Sequence, residues 1–155
     1  MKEKTACFTG HRKIPQEQYG DIAQRVKKAI VYSIENGYCF FGAGGALGFD
    51  TLAAQTVLGL KKQYPQIKLI LVLPCRNQTK GWRTEDIREY ERIKSLADKV
   101  VYTSDEYYNG CMLKRNRHLI DNSSLCICYL TEPHGGTAYT VRYAKENGLK
   151  IINTA

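Results

Sequence analysis

A three-layer α/β fold, with helices on both faces of a mostly parallel sheet of about six strands, is what this 155-residue sequence predicts. Three observations predict it. Short apolar runs alternate with amphipathic helical runs along the whole chain, the pattern of βα units that wind a parallel sheet. The run Ile67–Leu73 is nearly continuous in apolar residues, as suits a strand covered on both faces. Gly42, Gly44, Gly45 and Gly48 crowd into seven residues between an apolar run and an amphipathic one, which reads as strand, tight turn, helix. No repeat, linker or low-complexity segment interrupts the alternation, so residues 1–155 read as one domain.

The elements follow in order. Lys4–Thr9 is a short apolar strand, and Pro15 opens a helix, as proline does at a first helical position. Tyr19, Ile22, Val26, Ala29, Ile30 and Ile34 make its apolar stripe, and Asn36-Gly37 ends it. The second strand, Tyr38–Phe41, runs into the glycine turn. The helix beyond presents Leu52, Ala53, Thr56, Val57 and Leu60 until Pro65 stops it. After the strand Ile67–Leu73 and a polar loop, Pro74–Trp82, Thr84 is placed to cap a third helix. A fourth strand spans Lys99–Thr103, a fourth helix Cys111–Asn122 and a fifth strand Leu125–Leu130. Gly135-Gly136-Thr137 turns into a fifth helix that ends at Asn147-Gly148, and Leu149–Asn153 is the last strand.

Composition narrows the function classes. Hydrophobic content of 43% and charged content of 25% fit a globular chain. No apolar run reaches the roughly 18 residues of a membrane helix, and no signal-peptide pattern opens the sequence, so a cytoplasmic location without membrane partners is expected. Of six cysteines, Cys7, Cys39, Cys126 and Cys128 lie in apolar strand runs, where a free thiol packs as a small hydrophobe. No Cys-x-x-Cys occurs, so no metal site is expected. The net charge of +8, from 23 basic and 15 acidic residues, favours anionic partners without choosing among them.

In wound parallel sheets, ligands bind beyond the carboxyl ends of the strands. Thr9, Gly10, His11 and Arg12 fall there after the first strand, and Gly44, Gly45, Gly48 and Asp50 after the second. Gln78 follows the third, and Gly135, Gly136 and Thr137 follow the fifth. A glycine turn running into a helix start suits a phosphate, because unpaired N–H groups and the helix dipole face it. The spacing is not the dinucleotide fingerprint, since Leu47 stands where its third glycine should fall.

Each residue also has a plainer reading. His11 is a base, a phosphate donor or a solvated loop residue. Arg12 is a phosphate clamp or a surface charge. Asp50 holds sugar hydroxyls or caps its helix, and Thr137 donates to phosphate or caps. Trp82 stacks on a base or packs on the third helix. On the fourth helix, Asn116 interrupts an apolar stripe between Arg115 and Arg117. It either bonds a neighbouring loop backbone or joins the arginines in building a pocket. Lys114 and His118 are expected to be solvated.

Four motifs in this order resemble the SLOG superfamily: Thr-Gly-His-Arg from Thr9, Gly-Gly-Ala-Leu-Gly-Phe-Asp from Gly44, Arg-Asn-Arg from Arg115 and Gly-Gly-Thr from Gly135. That group unites the DNA-processing protein DprA (Smf) with the LOG proteins, and the sequence is most similar to its bacterial YpsA-like branch. The resemblance covers nearly the whole chain. It implies a Rossmann-like fold, a nucleotide-type or other phosphate-bearing ligand, and a homo-oligomer. It also carries two alternatives: LOG-like N-glycosidic hydrolysis of nucleoside monophosphates, and DprA-like nucleic-acid binding. LOG phosphoribohydrolases place a catalytic Glu three residues after the Thr of their glycine motif. Here that position holds Thr140, and Asp50 and Glu132 are the carboxylates near a glycine turn. No catalytic residue is therefore assigned. Basic residues are not interleaved with aromatic ones in the sequence, which ranks nucleic-acid binding last.

Overall fold

The computed structural model describes residues 1–155. Its six strands are β1 (Thr5–Gly10), β2 (Phe40–Ala43), β3 (Lys68–Leu73), β4 (Lys99–Tyr102), β5 (Leu125–Tyr129) and β6 (Lys150–Asn153). All pair in parallel in one sheet of order β4-β3-β2-β1-β5-β6. Five helices connect them: α1 (Tyr19–Glu35), α2 (Phe49–Leu60), α3 (Thr84–Leu96), α4 (Cys111–Asp121) and α5 (Gly136–Glu146). The fold is α/β, Rossmann-like and three-layered, as the alternation of runs predicts. No helix is long and apolar enough to cross a membrane.

Alternate strand residues feed two cores, because successive side chains leave a strand on opposite faces. Ala6, Phe8, Leu69, Leu71, Leu125 and Ile127 join the buried stripes of α1, α2 and α3 in a core of 24 residues. Cys7, Val72, Cys126 and Cys128 face α4 and α5 in a core of nine. All six cysteines are free thiols.

The larger core also sets the position of the loops. Phe8 stacks with Phe41 at 6.2 Å, and Phe49, the first residue of α2, meets Phe8 edge-on at 6.4 Å. Burying each of these rings is worth roughly 1.5–3 kcal/mol. The Phe49 ring lies so close to Gly10 that a Cβ on Gly10 would come within 2.4 Å of it. Packing thus presses the end of β1 against the start of α2.

Most element ends fall within a residue or two of the sequence reading, and three differences have a local basis. Residues 16–18 form a 3₁₀ turn after Pro15, and α1 starts only at Tyr19. Arg83, not Thr84, occupies the N-cap of α3, and Thr84 is its first helical residue. The second strand begins at Phe40, because Tyr38 sits at the preceding turn and bonds Ser124 through its hydroxyl at 2.8 Å.

The strand order could not be read from the sequence, and it locates the site. From β1 the chain adds β2, β3 and β4 on one side, then returns to place β5 on the other. The loops after β1 and β5 therefore leave in opposite directions, which opens a crevice at their carboxyl ends.

Candidate functional site

A cleft of about 280 Å³ lies at that crevice. Thr9, Gly10, His11 and Arg12 line it from the end of β1, and Ala46 and Asp50 from the glycine turn and α2. Met112, Arg115 and Asn116 reach it from α4, and His134, Gly135, Gly136 and Thr137 from the start of α5. Ten of the fifteen residues picked from the sequence thus meet on one cleft.

The remaining five stand elsewhere. Gly44, Gly45 and Gly48 shape the turn from behind and do not line the cleft. A Cβ on Gly44 would meet the Arg115 guanidinium at 2.5 Å and the Asp50 carboxylate at 2.9 Å. Gln78 lies behind the turn, buried, its amide oxygen 3.5 Å from where a Gly45 Cβ would be. Arg117 points away to the outer surface. It bonds the Tyr139 hydroxyl and lies 5.4 and 5.8 Å from the rings of Tyr139 and Tyr143. Trp82 packs edge-on against Tyr90 at 5.5 Å, the plainer of its two readings.

On the fourth helix, Asn116 joins Arg115 in lining the cleft, and Arg117 does not. Arg115, not Asn116, binds the glycine turn: its Nη1 donates to the Gly44 carbonyl, and the residue is only 4% exposed. Its Nε donates to Asn116 Oδ1 at 2.8 Å, and Asn116 Nδ2 donates to Thr140 Oγ1 at 3.0 Å. Thr140 in turn donates to the Gly136 carbonyl at 2.8 Å. One hydrogen-bonded chain therefore ties the first glycine turn to the second. The periodicity of the fourth helix marks Asn116 as a polar residue in an apolar stripe. It gives no sign that the arginine one residue earlier turns inward.

His11 is similarly engaged. Its Nε2 accepts the Thr131 backbone N–H at 2.9 Å. Its backbone carbonyl accepts the Phe49 N–H at 3.2 Å. His11 thus joins the loops after β1 and β5 to the start of α2.

The two helix starts differ electrostatically. At α2, Asp50 is 6% exposed and accepts the Ala46 N–H at 3.2 Å, so a carboxylate of the chain already occupies that positive end. Burial raises the Asp50 carboxyl above the usual carboxylate range, and Arg115, the Ala46 amide and Arg12 oppose that shift. Burial lowers the Arg115 guanidinium, and Asp50 opposes it. At α5 the N-cap is Gly135, no side chain caps the helix, and its first turn holds no acidic residue. Thr137 is a first-turn residue there and not the cap. The exposed Arg12 and the half-buried Thr137 line the same cleft as this helix start. Glu132 is exposed and off the cleft lining. His134, Met112 and Ala46 line the cleft without having stood out in the sequence. His134 directly precedes the Gly-Gly-Thr turn, the one signal that pointed to it.

Residues 8–151 match the family model for YpsA, described as the YspA SLOG family. The chain belongs to this SLOG family. Among its relatives, the SPbeta prophage-derived protein YoqJ of Bacillus subtilis is 32% identical over 127 residues, spanning 74% of each chain. A UPF0398 protein of Brevibacillus brevis is 29% identical over 126 residues, covering 79% of this chain and 67% of its own.

Similar solved structures confirm the fold of this SLOG chain. DprA from Streptococcus pneumoniae superposes with a TM-score of 0.68 at 17% identity, over 97% of this chain and 50% of that one. DprA from Helicobacter pylori, described with a single-stranded DNA binding mode, gives 0.66 at 18%, over 95% of this chain and 63% of that one. The protein TM1055 gives 0.60 at 18%, over 96% and 72%.

Proposed function

We propose that this SLOG protein binds a nucleotide or nucleotide derivative in the cleft between β1 and β5, its phosphate resting on the start of α5. One observation carries the reading. The uncapped first turn of α5 opens onto a cleft that also holds the unpaired Arg12 guanidinium, whereas the start of α2 is already occupied by the Asp50 side chain. Of the two glycine turns, the second is the phosphate cradle and the first is a strut held by Arg115.

Binding without hydrolysis is the better reading. The position of the LOG catalytic Glu holds Thr140, a buried hydroxyl that both donates and accepts within the protein. Asp50 is the one carboxylate on the cleft lining. Calorimetric titration with AMP tests the proposal. Saturable binding is expected, weakened at least about tenfold in Arg12→Ala, the worth of one charge-assisted contact. No free adenine is expected on long incubation. Absence of binding at millimolar AMP, or steady release of base, would contradict it.

Single-stranded nucleic acid is the second reading, favoured by a different surface. Arg117 is exposed beside Tyr139 and Tyr143, whose rings are parallel within 6°. That arrangement suits bases stacked along a basic face. If this surface is used, binding of an oligonucleotide falls steeply with salt and is lost in Arg117→Ala while AMP binding persists.

A further inference from the structure

We infer that the cleft reads the sugar and phosphate of its ligand and leaves the base unread, so that its ligand class is a phosphorylated pentose, free or as part of a mononucleotide. This rests on the reading above that the cleft takes a nucleotide-type anion. The lining itself points there. Ala46 and Met112 are its only apolar side chains, and no Phe, Tyr or Trp reaches it. A base gains affinity chiefly by stacking on an aromatic ring, an effect of roughly five- to 150-fold.

The neighbouring tyrosine and tryptophan rings are committed elsewhere, which leaves the imidazoles of His11 and His134 as the only rings on the lining. Tyr129 is buried between Phe49, 6.1 Å away, and the edge of His11, and Trp82 packs on Tyr90. The Gln78 amide, with donor and acceptor side by side, has the chemistry to read a base edge. It lies off the cleft lining, behind the Gly44–Gly45 turn, with neither polar atom bonded.

What the cleft does offer suits hydroxyl groups. Asp50 is more than nine-tenths buried and faces the cleft. Its Oδ2 accepts the Ala46 N–H, and its Oδ1 has no partner within the protein. A carboxylate oxygen in that setting accepts from a sugar hydroxyl. Thr9, 7% exposed, lines the same cleft with a hydroxyl that makes no bond within the protein. Both oxygens remain open to solvent, so a ligand hydroxyl can take the place of water there. The cleft, at about 280 Å³, also falls just below the roughly 300–1,000 Å³ of ordinary small-molecule pockets. That is room for a pentose phosphate and short of a dinucleotide.

A ligand series on the unaltered chain tests this without any risk of misfolding. Calorimetric affinities are compared for inorganic phosphate, ribose 5-phosphate and AMP. Ribose 5-phosphate and AMP are expected to bind within fivefold of each other, both at least fivefold tighter than inorganic phosphate. AMP binding more than fivefold tighter than ribose 5-phosphate would overturn the inference, because the base would then be read. Ribose 5-phosphate less than fivefold tighter than phosphate would overturn it too, because the sugar would not be. If none of the three binds, it is the underlying nucleotide reading that fails.

Discussion

Gly48 sits where the Arg12 backbone leaves no space: a Cβ there would lie 2.1 Å from the Arg12 carbonyl oxygen, at a φ of +78°. Gly48→Ala is expected to cost at least about 2 kcal/mol, from left-handed strain plus the clash. Gly59 on α2 is the control, since an alanine methyl there would meet nothing within 4 Å. Gly59→Ala should stabilise by about 0.5–1 kcal/mol, because alanine only improves helix propensity at that position. Urea midpoints at constant m-value check both. Arg115 is the second residue on which the site depends. Arg115→Met strands the buried Gly44 carbonyl and removes the stronger of the two cationic influences on Asp50, at a cost of at least about 1–3 kcal/mol. A double-mutant cycle with Asp50→Asn should recover part of that loss, and strict additivity would show the two are not coupled. At this scale the sequence was half legible. Glycines, His11, Arg12 and Asp50 announce themselves by residue type beside strand ends. Which of Arg115, Asn116 and Arg117 turns inward depends on how α4 is rotated against the sheet, and neighbouring arginines look alike in a helical pattern.

Among the elements, α2 and α3 are joined by a carboxylate whose effect on stability has a definite sign. Glu89 accepts two bonds from Arg92, at 2.7 and 2.8 Å, and one from Gln55. Those bonds, the Arg92 pair above all, hold its carboxyl at about 2, below the ordinary 4.5. A depressed folded value means the group stabilises the fold fully above about pH 4.5, and that the contribution is lost as pH falls toward about 2. Glu89→Gln should therefore flatten the pH dependence of unfolding free energy between those limits and leave its acid-side stability unchanged. An unaltered profile would mean the pair is too screened by solvent to matter. The elements themselves were legible because strands and helices carry different apolar periods. Their ends were less so: Thr84 looks like a cap, yet the chain enters α3 one residue earlier, through an extended Arg83.

At the scale of the molecule, strand order does what no local pattern could announce. Placing β5 beside β1 brings Thr9–Arg12 and Gly135–Thr137 to one crevice although they are far apart in sequence. The alternation of strands and helices fixes a wound parallel sheet, but several strand orders satisfy it. The order is chosen by long-range packing, here by the return of the chain through α4. The net charge of +8 belongs to the whole chain, whereas the proposed site is built from main-chain amides and a single free guanidinium. Binding in the cleft should therefore depend far less on salt than nucleic-acid binding through the outer face would.

The most direct test of the anion site is a backbone amide NMR titration of the full chain with inorganic phosphate. The largest shifts are predicted at Gly136, Thr137 and Ala138, with smaller ones at Gly10–Arg12 and little change at Gly44–Gly45. Shifts concentrated at the Gly44–Gly48 turn or on the outer face of α4, or none at the start of α5, would contradict the assignment of the phosphate to α5.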